Sequence, residues 1–391
     1  MKLHFLEKFS HGFFRYALRT FFLVGLAIIF QFTLVDGASA VVRTWDGGGG
    51  VDTNWGTCAN WSDNTCPTSS DIATFDATST NNVTIATTLS GATAPAGIDI
   101  NAGYTGIITQ NASVNIAVGA SHFDQAAGTF TGGNGTIDIN GAFTLSSGTF
   151  TSTSGTMFVS GVWTHTLGGT FTHNSGTVTK DGGTVTWDVT TSETFYNFTV
   201  DQSTSAQTLT ITSGDTILVT NTLTLTDGGV ATGTLEAQGN VSIGSLFDGG
   251  TAPLKFSGTG IQTISGAGTA YFDAAITIDK TGGSVSLAAA MTFNNGASST
   301  FTLTNGTFNA AGYALKIDGT VTVSSGIFNV GASTINLDGA FTISGGTVNG
   351  DSGELRIAGA YTHTAGGTFS AGTGTVTKDG GTVTWDVTTS E

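Results

Sequence analysis

The chain has 391 residues, 58 of them Gly and only 3 Pro, with 10% charged residues and a formal net charge of −16. So few basic side chains exclude a nucleic-acid partner, because no patch can neutralise a run of phosphates. Disorder is excluded as well: apolar residues alternate with Thr in runs such as Thr208-Leu209-Thr210-Ile211-Thr212, and alternation with β-branched residues reads as half-buried strand.

Residues 1–40 read as an export signal. Lys2, Lys8, Arg15 and Arg19 give a positive start, Thr20 to Val35 is uncharged and mostly apolar, and Ala38-Ser39-Ala40 is an A-x-A cleavage site. The competing reading is an uncleaved anchor, for which the apolar run is a little short. Without this segment the chain keeps 7 basic residues (11 less 4) and 25 acidic ones (27 less 2), for a charge of −18. Export would place the chain in the periplasm, on the cell surface or outside the cell, and the last two are the expectation. Any membrane link then runs through the signal segment or through a C-terminal anchor absent from this sequence.

Residues 41–97 form a distinct head. Trp45, Trp55 and Trp61 crowd together there, and Cys58 and Cys66 are the only cysteines. In an oxidising compartment two cysteines this close pair as a disulfide, and C-x7-C lacks the second ligand pair of a zinc site. The Trp cluster has two readings. One is a cap over the open end of the first coil. The other is an aromatic platform that contacts carbohydrate rings. The succession Trp45-Asp46-Gly47, Asn54-Trp55, Ala59-Asn60-Trp61, Pro67 and Asp71 to Phe75 resembles the opening segment of bacterial autotransporter-associated β-strand repeat proteins. The resemblance covers the head and implies a secreted or cell-surface β-solenoid. It carries no catalytic residues, and the cysteine pair is not part of its pattern.

Residues 98–391 read as strand to the end, in coils of about 20 residues. Gly128-Thr129-Phe130, Gly148-Thr149-Phe150 and Gly169-Thr170-Phe171 mark the beat, and Gly135 to Leu145 alternates Ile137, Ile139, Phe143 and Leu145 on one face. Three short strands and three glycine-bearing corners per coil predict an all-β fold, a right-handed parallel β-helix. Phe130, Phe150 and Phe171 should stack inside it, as should Phe308, Phe328, Val348 and Phe369. On the order of 14 coils at about 4.8 Å each give a rod of about 65–70 Å. Residues 195–300 beat less regularly, as a longer coil, a loop or a seam.

A duplication spans the fold. Residues 176–193 recur unchanged at 374–391, and Gly141 to Glu193 matches Gly339 to Glu391 at 35 of 53 positions, an offset of 198 (374 less 176). The second copy halts where the first continues, which reads as a fragment of a longer repeat protein.

Chemistry is sparse. His165 and His363 share a repeat position and fall about nine coils apart, too far to share an ion, so each reads as a packed histidine. His122 and His173 have no partner legible in the sequence. Lys180-Asp181 and Lys378-Asp379, each before Gly-Gly, read as exposed turns. Lys255 with Lys280, and Asp248 with Asp273, are spaced by about one coil and are the best candidates for a groove; they read as solvated surface charges. No catalytic, cofactor or metal residues are assigned, and no cofactor is expected. The leading expectation is a non-enzymatic structural or adhesive stalk on a bacterial surface, with a polysaccharide or protein partner. One alternative is a carbohydrate-active lyase or hydrolase, since such enzymes also use parallel β-helices. A second is an ice-binding face of outward Thr-x-Thr rows such as Thr184/Thr186 and Thr382/Thr384.

Overall fold

The computed structural model describes residues 40–202, 206–266, 271–293 and 299–387. Residues 1–39 of the expected signal and the last four residues of the duplication therefore lie outside the described residues. The chain divides into two units at Val41, and the second, from Val42 onward, carries the coils.

The fold is an all-β parallel solenoid of about 14 turns with coils of about 21 residues. A coil is built of three strand segments, and along most of the stack each segment pairs in parallel with its counterparts in the neighbouring coils, the ladders being interrupted after Gly169–Thr172 and before Tyr271–Phe272. The result is three columns of strands around an apolar interior. Alternation decides which side chains enter. In Ala142–Leu145, Phe143 and Leu145 are fully buried, while Thr144 faces out. Parallel in-register pairing then repeats that choice in every coil, because a one-residue slip would turn the apolar set outward.

Phe130, Phe150 and Phe171 pair in register. Their rings stack, with centroids 4.8 Å apart at 7° for the first pair and 6.0 Å apart at 9° for the second. Phe308, Phe328, Val348 and Phe369 form the matching stack in the second half. The corner glycines are specific where coils touch. Gly148 has φ +79°, and a Cβ there would lie 2.5 Å from the Gly128 carbonyl oxygen, so only glycine fits both backbone angle and space.

The ladder starts earlier than residue 98. Asp71–Phe75 pairs in parallel with Gly97–Ile100, and Val83–Ile85 pairs with Ile107–Gln110. The latter part of the head thus supplies strands to the solenoid.

The two copies of the duplication fall in different columns. Trp163–His165 stands over Phe143–Leu145, and Trp187 stands between Trp163 and Ile211. His363 belongs to another column, reached from Phe195 by in-register steps through Val219, Ala237, Phe256, Ile278, Leu303, Val323 and Ile343. Those are eight turns. Trp163 to Trp187 is one more, and the Phe195 strand follows Trp187 in the next column. The 198-residue offset is therefore nine turns plus one strand, and the two copies present corresponding faces a third of a turn apart. In the irregular middle, corners straighten into the continuous strands Ser192–Asp201, which serves two columns, and Thr216–Ala231, which serves all three.

Candidate functional site

The head is closed. Trp45, Trp55 and Trp61 are 0%, 3% and 0% exposed. Trp61 meets Trp45 and Trp55 edge-on at 5.2 and 4.8 Å, and all three indoles surround Phe75. The Trp61 Nε1–H donates to the Trp55 carbonyl oxygen at 2.8 Å. An exposed platform for sugar rings needs an open ring face, and these rings have none; the carbohydrate-contact expectation for Trp45, Trp55 and Trp61 is corrected accordingly. Cys58 and Cys66 are joined by a disulfide, with Cα atoms 4.5 Å apart. It closes the loop next to the Trp61 turn.

The histidines have partners that sequence reasoning missed. His165 Nδ1 lies 2.6 Å from the buried Glu193 Oε2. The hydrogen bond to Glu193 raises the imidazole pKa, partly opposed by burial. His173 Nδ1 accepts from the Ser175 N–H at 2.9 Å, and its ring lies 5.7 Å from that of Tyr196. His363 is buried over Ile343.

Two lysines reverse their sequence reading. Lys180 is 0% exposed and stands in the interior rung between Val159 and Val200. Its Nζ is buried without a hydrogen-bond partner. Burial pushes its pKa down to about 8, with Asp181 opposing. The turn reading fails because Lys180 keeps the phase of Val178, and phase rather than residue type selects the inner face. Lys378 is exposed and donates to the Gly380 and Gly381 carbonyl oxygens. Lys280 is also fully buried, donating to the Ser257 carbonyl oxygen at 3.0 Å and to Gln262 Oε1.

Lys255 and Lys280 do not form one groove. Lys255 faces out between buried Leu254 and Phe256, 3.7 Å from both Glu236 and Asp279, whereas Lys280 faces in. Asp248 is exposed, and Asp273 packs against Gly249.

A tighter cluster sits on the outer face of the early coils. Asp99 and Asp124 occupy the same row on consecutive coils, and His122 stands two residues before Asp124. His122 Nε2 lies 2.6 Å from Asp99 Oδ1, and one ligand atom from each of Asp99, His122 and Asp124 lies within 4.8 Å of the others. The 25-residue separation of Asp99 and Asp124 (124 less 99) exceeds the 20-residue beat, which hides the pairing in the sequence.

Threonine rows also run along the outside. Thr84, Thr109, Thr131, Thr151 and Thr172 share one row, with Thr129, Thr149 and Thr170 beside the last three. Thr277, Thr302, Thr322, Thr342 and Thr362 form another. Thr184/Thr186 and Thr382/Thr384 lie on different columns and do not make one face.

No family model, no curated protein and no solved structure matches this chain.

Proposed function

We propose that this chain is a structural or adhesive β-solenoid stalk on the outside of a bacterial cell. The observation that carries the reading is the column shift. The duplicated coils sit nine turns plus one strand apart, so duplication lengthened the stack without aligning a second copy of any outer face with the first. That pattern fits selection for length. The apolar, A-x-A-terminated leader supports export, and the head motif supports kinship with surface repeat proteins. Sparse acidic charge suits a long β surface that must stay soluble. Labelling of intact cells with an antibody against this chain tests it: surface signal removed by external protease is expected, and signal only after lysis overturns the reading.

The threonine rows favour a second reading, a surface that orders water against ice. In-register rows set hydroxyls about 4.8 Å apart along the axis and about 6.7 Å apart along a strand. Thermal hysteresis of the purified protein, abolished by Thr151→Tyr, would support it; its absence removes it.

A further inference from the structure

The geometry points to a divalent transition-metal site of the zinc type on the outer face of the early coils, formed by Asp99, His122 and Asp124.

Three observations carry it. The first is the donor set. One imidazole nitrogen and two carboxylate oxygens lie within 4.8 Å of one another. Zinc binds such nitrogen and oxygen donors at about 2.0–2.2 Å with tetrahedral geometry, and three protein ligands leave a fourth position for water. Ligand atoms about 2 Å from a shared ion lie roughly 3–3.5 Å apart, so modest side-chain rotation closes the site.

The second is charge. Asp99 and Asp124 are direct in-register partners, and like charges opposite each other on a sheet are destabilising. Among the described residues no lysine or arginine pairs with either. His122 bonds to Asp99 and leaves Asp124 unneutralised. A cation between the two coils answers that repulsion.

The third comes from the preceding coil. Thr74 pairs in register with Asp99. It lies between Ala73 and Phe75, which are buried in the core, so its side chain shares the outer face with Asp99. Thr74 is only 6% exposed, yet its Oγ1 has no hydrogen-bond partner. A buried hydroxyl is seldom left unpaired. A water on the metal's open position would supply a partner for it. Bound metal would thus tie three successive coils near the start of the stack.

Isothermal titration of the full chain, stripped with a chelator, with zinc chloride tests this. One high-affinity zinc is expected per chain, weakened at least tenfold in both Asp124→Asn and His122→Gln. Both side chains face outward, so circular dichroism of the variants should match the parent. Cobalt(II) substitution should give the intense visible absorption of a tetrahedral site in the parent and not in Asp124→Asn. Equal zinc affinity in parent and Asp124→Asn overturns the proposal, because the zinc would then sit elsewhere. So does binding of calcium in preference to zinc, which would mark the face as a plain acidic patch.

Discussion

His165 Nδ1 and Glu193 Oε2 lie 2.6 Å apart, linking strands in two columns. The bond raises the histidine pKa above its free value of 6.5 in the folded protein. A raised folded-state value favours the protonated form in the fold. The pair's contribution is therefore fully present below pH 6.5 and is lost as pH rises through the raised value. The melting temperature of the parent should exceed that of His165→Gln by more at pH 5.5 than at pH 9. A difference independent of pH would show that the contact is packing and not a charge-assisted bond.

The phenylalanine stack predicts a steep cost for one truncation. Phe150 lies 4.8 Å from Phe130, 4.9 Å from Phe143 and 6.0 Å from Phe171. Phe150→Ala should cost about 3–5 kcal/mol in denaturant unfolding. Thr151→Ala, one residue on and facing out, should stay within about 0.5 kcal/mol. Equal effects would contradict the assignment of inner and outer faces.

Lys180 predicts a stabilising substitution. Its folded-state pKa of about 8 lies below the free value of 10.5. A lowered base destabilises the fold most at pH below 8, and the penalty fades as pH rises toward 10.5. The gap corresponds to about 3 kcal/mol. Lys180→Met should raise the unfolding free energy at pH 7 by up to that amount, and by less at pH 9.5. A loss of stability at pH 7 would show that the ammonium has a favourable partner.

The Cys58–Cys66 bond closes a short loop in a head whose three indoles are already buried. Its removal in Cys58→Ser/Cys66→Ser should cost on the order of 2–3 kcal/mol. Thiol reagents should leave both residues of the native, unreduced protein unmodified.

The columns are legible in the sequence because their causes are local. Thr-apolar alternation sets the faces, and the 20-residue beat of Gly-Thr-Phe names in advance the rings that stack. The disulfide is legible from the closeness of the two cysteines, read with the oxidising compartment that the leader leads one to expect. Lys180 misleads because Lys-Asp-Gly-Gly carries turn chemistry, while its place in Thr177–Lys180 is fixed by pairing with Met157, Val159, Phe198 and Val200. The Trp platform fails for a related reason: composition reports aromatic rings, and only the packing of Phe75 and Trp61 reports which way they face. The column shift is hidden because residue offsets count length, whereas columns count strands, and coils here differ in length. Leu145 to His165 is 20 residues, but Trp163 to Trp187 is 24. Partners a coil apart, such as Asp99 and Asp124, become visible only when that spacing is known.

In the proposed stalk, the stack of coils serves by its length and surface and not by turnover. The most direct measurement is sugar release from pectin, alginate, cellulose and xylan by the purified protein, with and without added calcium or zinc. Catalysis needs an acid, a base and charge stabilisation on one bond, and Lys255 and Lys280 face opposite sides of the wall. No reducing ends or unsaturated sugars above the buffer control are predicted. Release that is abolished by Lys255→Ala or Asp273→Ala would contradict the stalk and establish an enzyme.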